Sequence, residues 1–199
     1  MKIALLSLFC ISIVFRGLLI SSELHPTDGT YTFTLSADVE KSATLNLPKD
    51  IVTNYIRNID IYPKFFPDIV SVTKINDKES EWLYRIKAPL ASAYNLTFLL
   101  EDRSPSDDTL FLQSKDSTKD FLFCKAYFAS ADENRTQITM RFHIRMTRDK
   151  ASEVHFMAGL LGESFLSERM KEKLEGDMDT FISAVTKDMY FNNRESRGN

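Results

Sequence analysis

Apolar and polar residues alternate along much of this chain, which is the pattern of β-strands that have one buried face. The alternation is cleanest over 137–147, where apolar side chains share one face and basic side chains share the other. The apolar positions there are Ile138, Met140, Phe142, Ile144 and Met146. Further strand-like segments are 30–47, 69–75, 81–87, 96–101, 109–114 and 120–130. Consecutive strands of this kind predict an antiparallel sheet that is buried on one side.

The C-terminal part of the chain changes to the helical spacing of three or four residues. We predict one long helix over 151–189 with a continuous apolar stripe. The stripe comprises Met157, Leu161, Phe165, Leu166, Met170, Leu174, Met178, Phe181 and Val185. Gly159, Gly162 and Gly176 lower the stability of such a helix and permit a bend or a close approach to the sheet.

A short, broken helical region is predicted between the first two strands. Pro48 occupies a first helical position, and apolar residues recur at helical spacing up to residue 59. The next segment, 60–72, reads DIYPKFFPDIVSV and places three aromatic residues around and between two prolines. Proline cannot continue a helix interior, so this segment predicts a broken helix or a turn. Packing the three aromatic rings requires a large apolar core or cavity nearby.

Residues 1–22 have a charged start, an apolar middle and small residues at the end, which is the order of a secretory signal. We predict a signal or membrane-anchor segment there, and therefore a secreted or membrane-anchored protein. The alternatives are an organelle-targeted protein, or a cytoplasmic one with a hydrophobic N-terminal extension. One domain is predicted over 30–191, followed by a polar tail at 192–199.

Composition favours a globular domain, and the spacing of the candidate ligands argues against a metal site. The chain has 199 residues, of which 43% are hydrophobic, so it can bury a substantial core. Its net charge of −3 argues against a nucleic-acid partner. The histidines at 25, 143 and 155 show no metal-ligand spacing, and no nucleophile motif occurs. We therefore predict no metal, no other cofactor and no specific catalytic residue.

Two segments, NLPKDIV (46–52) and IDIYPKFFPDIVSVTKI (59–75), together with the order of elements, resemble the START-like superfamily. This superfamily includes polyketide cyclases and coenzyme Q-binding proteins, and the resemblance is nearest to the coenzyme Q-binding branch. It implies an α+β helix-grip fold. In that fold a curved antiparallel sheet of about seven strands wraps around a long C-terminal helix, and a short broken helix pair follows the first strand.

The aromatic and methionine-rich faces favour the binding or carriage of a hydrophobic small molecule, such as a lipid, an isoprenoid or a quinone. The resemblance places that ligand between the sheet and the C-terminal helix. The candidate lining residues are Tyr62, Phe65, Phe66, Trp82, Tyr84, Phe98, Phe123, Tyr127, Phe142, Ile144, Met157, Leu161 and Phe165. Any one of them alone is more often a core residue than a ligand contact.

Two other functions remain open at this point. A cyclase- or hydratase-type enzyme would need an inward-facing acid or histidine with a shifted pKa, and His155 is the one modest candidate. An interaction module, on a ribosome or another protein, is disfavoured by the acidic balance. The oligomeric state is left open.

A basic stripe is formed by Arg141, His143, Arg145 and Arg148, the first three of which alternation places on one sheet face. Such a stripe can contact anionic lipid head groups, which would make the protein peripheral to a membrane. The favoured interpretation is an exposed sheet face on which acidic residues of neighbouring strands pair with these cations.

Overall fold

The computed structural model describes residues 32–86, 94–154 and 157–197. Within them, seven strands form one antiparallel sheet in the order β1-β7-β6-β5-β4-β3-β2. The strands are β1 (Phe33–Leu45), β2 (Ile69–Lys74), β3 (Glu79–Ile86), β4 (Tyr94–Asp102), β5 (Thr109–Ser114), β6 (Asp120–Asp132) and β7 (Arg135–Arg148). The sheet curves around a long C-terminal helix, which confirms the predicted α+β helix-grip architecture.

The predicted broken helix pair is also present. It consists of α1 (Lys49–Arg57), a 3₁₀ turn (Ile59–Ile61) and α2 (Tyr62–Phe65). Pro63 lies in the first turn of α2, where its missing N–H costs no helical hydrogen bond. Phe66 is already extended, so α2 is only four residues long. The chain therefore turns at this point and enters β2.

The C-terminal helix differs from the prediction at both ends. A 3₁₀ turn (Ala151–Glu153) and α3 (Ala158–Leu161) come first, and α4 (Glu163–Arg197) is a separate helix. The prediction of one helix from residue 151 was wrong because Gly162 has a φ of +81°, a conformation that separates α3 from α4. The helix also continues past the predicted end at 189, through the described part of the predicted polar tail.

Helix α4 covers the free edge of β1 and runs parallel to it. Three main-chain N–H groups of β1 or its C-terminal end donate to side chains that follow in the same order along α4. The bonds are Thr34 to Glu163, Ser36 to Ser167 and Asn46 to Tyr190. This arrangement satisfies donors on an edge strand that would otherwise be open to pairing with another chain.

The inner face of the sheet and one end of α4 enclose a cluster of aromatic rings. The Tyr62 ring lies 5.0 Å from the Trp82 ring and 4.9 Å from the Phe181 ring, between centroids. The Phe66 ring lies 4.9 Å from that of Phe142. All five side chains are fully buried. The aromatic segment around α2 therefore fills the space between the sheet and this part of α4.

Burial along α4 divides the grip into two regions. The packed half surrounds α4 from Leu174 to Met189, where the inward apolar side chains are fully buried. The open half surrounds α3 and α4 from Glu163 to Lys173. Here Met170 and Leu161 are only partly buried, and Leu160 is 82% exposed.

Among the helices in the described ranges, none is both long and apolar enough to cross a membrane. The predicted leader, 1–22, lies outside the described residues.

Candidate functional site

The open half lies where the ends of several elements meet. Phe33, at the start of β1, pairs with Arg148 at the end of β7, and the start of α4 contacts β1 there. Ile86, at the end of β3, pairs with Tyr94 at the start of β4. The Arg148 side chain reaches Tyr94 directly, which joins these strand ends into one region.

Arg148 is a buried cation on the inner side of this region. Its Nη1 and Nη2 donate to the two carboxylate oxygens of Asp120 at 2.6 and 3.1 Å. Its Nε and Nη2 donate to the Tyr94 hydroxyl at 3.1 and 2.9 Å. Burial opposes the charge, but the bonds with Asp120 and Tyr94 outweigh it and raise the pKa of Arg148. The guanidinium therefore stays charged, and the Tyr94 O–H proton remains available to a ligand.

The Arg148 group also bridges a gap in the sheet. Strands β4 and β5 pair over only three residue pairs, from Leu100 to Asp102, so the first half of β4 diverges from its neighbour. A surface pocket of about 360 Å³ opens there, and Asp120 lies in its wall. Bonds from Arg148 to Tyr94 and Asp120 connect β4 with β6 where main-chain pairing is absent. The bridge thus holds the divergent strands in place.

A second polar group lies where the open half meets the packed half. Lys173 Nζ is 2.7 Å from Asp68 Oδ2 and 2.6 and 2.5 Å from the two oxygens of Asp177. Lys173 and Asp177 are four residues apart on α4, and Asp68 directly precedes β2. The main-chain oxygen of Asp68 accepts from the N–H of Arg85 at 2.8 Å, which fixes this residue against β3.

The two carboxyl groups share one ammonium in a largely dry environment. Asp68 is 3% exposed and Asp177 is 5% exposed. Burial raises the pKa of Asp177 to about 6, Lys173 opposes this, and the nearby Asp68 adds to it. The pKa of Tyr84 is raised well above its usual value by burial and then by these two carboxylates. Asp68 Oδ1 is buried and has no hydrogen-bond partner. Asp177 can therefore hold or release a proton near neutral pH.

The predicted lining residues fall into three groups. Four belong to the aromatic cluster of the packed half: Tyr62, Phe66, Trp82 and Phe142. Tyr84, Phe98 and Ile144 are buried on the inner sheet face. Phe65, Met157 and Leu161 are partly buried, and Phe165 is 46% exposed. The structure thus brings most of them to the grip but assigns the largest rings to its core.

Phe123 and Tyr127 require a correction, because both lie on the outer face of the sheet. The intervening residues of β6, among them Cys124 and Ala126, point inward and are buried. Alternation along one strand then sends Phe123 and Tyr127 outward. There Arg141 lies 5.5 Å from the Phe123 ring, and Lys125 lies 4.5 Å from the Tyr127 ring. Neither residue can line a space between the sheet and α4.

The outer basic stripe has the acidic partner that the favoured interpretation required. Arg141 donates to both oxygens of Asp38 at 2.8 and 2.6 Å, and His143 lies 3.4 Å from the same carboxylate. The Arg141 bonds hold the pKa of Asp38 below its usual value. Arg148 does not belong to this stripe, because it points inward.

The sequence analysis did not identify Asp68, Asp120 and Asp177 as candidate site residues. It also grouped Arg148 with the outer basic stripe. Arg148 has the same parity as Ile144 and Met146, so alternation alone could have placed it inward. Asp177 falls within the apolar stripe of α4, three residues after Leu174. His155, the acid–base candidate, lies outside the described residues. Among the described residues, no group of three or more His, Cys, Asp or Glu side chains could hold a metal ion.

No protein-family model matches the chain, and no curated protein matches it significantly. Solved structures do match. The Zhui aromatase/cyclase from Streptomyces sp. R1128 is similar at 15% identity over 78% of this chain and 94% of its own, with a TM-score of 0.57. The di-domain ARO/CYC StfQ of the steffimycin pathway shares 12% identity over 81% of this chain and 53% of its own, with a TM-score of 0.55.

SA2116 of Staphylococcus aureus, a protein of unknown function, shares 10% identity over 79% of this chain and 98% of its own, with a TM-score of 0.50. At these identities the likeness shows a common fold. Two of the three structures are aromatase/cyclases, and the three do not single out the coenzyme Q-binding branch.

Proposed function

We propose that this protein binds a hydrophobic small molecule in the open half of the grip. The observation that carries the proposal is the change in burial along two facing elements. On α4 the fully buried Phe181 and Leu174 give way to the partly buried Met170, and Leu166 beyond it is 8% exposed. On β3 the fully buried Trp82 gives way to the partly buried Ile86. The inner apolar surface continues past the region that the protein itself fills.

Polar groups at this apolar surface give the ligand an orientation. Binding sites for small molecules are mostly apolar and carry a few fixed polar groups. Here the Tyr94 hydroxyl is held by Arg148, which is in turn held by Asp120. A lipid, an isoprenoid or a quinone fits this description, and the last agrees with the branch that the sequence resembles most. Contact of the exposed Leu160 and Phe165 with a membrane would give such a ligand a route in.

The proposal is tested by detecting a bound ligand and then by filling the open half with a larger side chain. The full chain, purified without denaturant, is analysed by native mass spectrometry, and any bound lipid is extracted and identified. We expect a co-purifying apolar molecule, or binding of an added fluorescent fatty acid. We expect Met170→Trp to weaken that binding at least about tenfold, because the larger ring occupies the site. Ile75→Trp, at an exposed position outside the grip, is the control and retains binding. No bound or added ligand in the folded wild-type protein would contradict the proposal.

A second candidate function is a cyclase- or hydratase-type enzyme that uses the same space. The specific observation in its favour is the buried acid Asp177, whose pKa of about 6 suits proton transfer near neutral pH. Turnover of a bound ligand by the wild type, and its loss in Asp177→Asn with binding retained, would favour this function over carriage.

A further inference from the structure

Asp68 has an unusual environment for a carboxylate. Its side chain is almost completely buried, and Lys173 binds only one of its oxygens, Oδ2. The other oxygen, Oδ1, is buried without any hydrogen-bond partner. A buried acceptor that makes no hydrogen bond destabilises a folded protein, and more so when it is charged. An acceptor in this state is well suited to a hydrogen-bond donor supplied from outside the protein.

Asp68 lies beside the open half. Its carboxylate lies with Lys173 and Asp177 at the boundary where burial on α4 decreases from Leu174 to Met170. Tyr84, whose pKa responds to Asp68, stands at the corresponding boundary on β3, between Trp82 and Ile86. The cluster therefore forms the inner end of the region to which we assign the ligand.

The charges around Asp68 select the type of donor. The Lys173 ammonium already lies within 2.7 Å of three carboxylate oxygens of this cluster. A cation at Oδ1 would be attracted by two carboxylates and repelled by one ammonium, but it would also lose its hydration on entering a buried apolar region. A neutral O–H group loses far less hydration free energy and still satisfies the acceptor. The geometry favours an alcohol or a phenol over an amine.

We propose that Asp68 is a recognition site for a hydroxyl group of the bound ligand, which donates its hydrogen bond to Oδ1. This inference rests on the proposed function, because the ligand has to occupy the open half. It narrows the substrate class to apolar molecules that carry a hydroxyl at one end. Lys173 acts as a positioning residue because it holds Oδ2, and Asp177 in turn holds the Lys173 ammonium.

The test uses two isomers that differ in hydrogen-bond donation. Decan-1-ol has a hydroxyl, and 1-methoxynonane has the same atoms without a donor. Each displaces a fluorescent fatty acid from the purified full chain. We expect the alcohol to bind about tenfold or more tightly than the ether, as a hydrogen bond to a charged group predicts. Asp68→Asn is expected to remove that preference and leave the affinity for the ether unchanged, which also shows that the site is intact.

Asp179→Asn is the matched control, because Asp179 lies two residues after Asp177 on α4 and its carboxylate is exposed. It is expected to keep the preference for the alcohol. Equal binding of the two isomers to the wild type would overturn the hydroxyl site while leaving the proposed function in place. A preference that survives in Asp68→Asn, or tighter binding of decylammonium than of decan-1-ol, would also overturn it. Binding of none of these probes would overturn both proposals.

Discussion

The two halves of the grip share one sheet and one helix, but they differ in how the apolar space between these elements is filled. In the packed half, rings from the segment around α2 fill the space against Phe142 and Phe181. In the open half no such segment enters from the described chain, and Met170 of α4 and Ile86 of β3 are only partly covered, although Leu166 is buried. The aromatic segment 62–66 therefore fills the packed half, and the proposed ligand site lies outside it.

Polar groups follow the same division. In the aromatic cluster of the packed half, two polar groups are neutral and satisfied within the protein. Trp82 Nε1 donates to Ser80 Oγ at 2.9 Å, and the Tyr62 hydroxyl donates to the oxygen of Ile56 at 3.3 Å. At the open half the buried polar groups are charged, as in the clusters around Arg148 and Asp68. Buried charges are costly unless they are paired, and both clusters pair theirs: Arg148 with Asp120, and Lys173 with two carboxylates.

Truncating one aromatic ring in each half is expected to give the largest difference in the free energy of unfolding. Phe66→Ala removes a fully buried ring from the aromatic cluster and should lower the free energy of unfolding by about 3 to 5 kcal/mol. Phe165→Ala, in the open half, should lower it by less than about 1 kcal/mol, because much of that ring is exposed. Urea denaturation followed by circular dichroism measures both. Similar losses for the two variants would show that the halves are equally well packed.

Alanine substitutions at two glycines of the C-terminal region are expected to change the free energy of unfolding in opposite directions. Gly162→Ala should destabilise by about 1 to 2 kcal/mol, because its φ of +81° is unfavourable for a residue with a side chain. Gly176→Ala, within α4 and with open space around it, should stabilise by about 0.5 to 1 kcal/mol. Thermal or urea denaturation measures each change. A stabilising Gly162→Ala would mean that α3 and α4 can form one continuous helix, as the sequence pattern suggested.

Local patterns predicted the fold better than they predicted the site. Period-two alternation identified the strands, because burial of one sheet face requires it, and the two prolines correctly predicted a break. The same alternation also predicts that Arg148 points inward. The contact between Asp68 and Lys173 joins residues that are 105 positions apart, so no local pattern reveals it. Charged sites of this kind arise from tertiary packing, which is why the aromatic residues were assigned to the ligand and the acids were overlooked.

A pH dependence of stability is expected to originate in Asp177, at the boundary between the two halves. Its pKa is about 6 in the folded protein and about 3.8 when unperturbed, so the folded state binds more protons than the unfolded state between these values. This contribution is therefore present at low pH and is lost as the pH rises through about 6. We expect Asp177 to make the protein about 1 kcal/mol less stable at pH 7.5 than at pH 5, after allowance for the favourable partner Lys173.

Comparing the stability of Asp177→Asn with that of Asp179→Asn at both pH values separates the contribution of Asp177 from that of other groups. Asp177→Asn should lose this pH dependence and Asp179→Asn should keep it, whereas identical profiles would show that Asp177 is not its source.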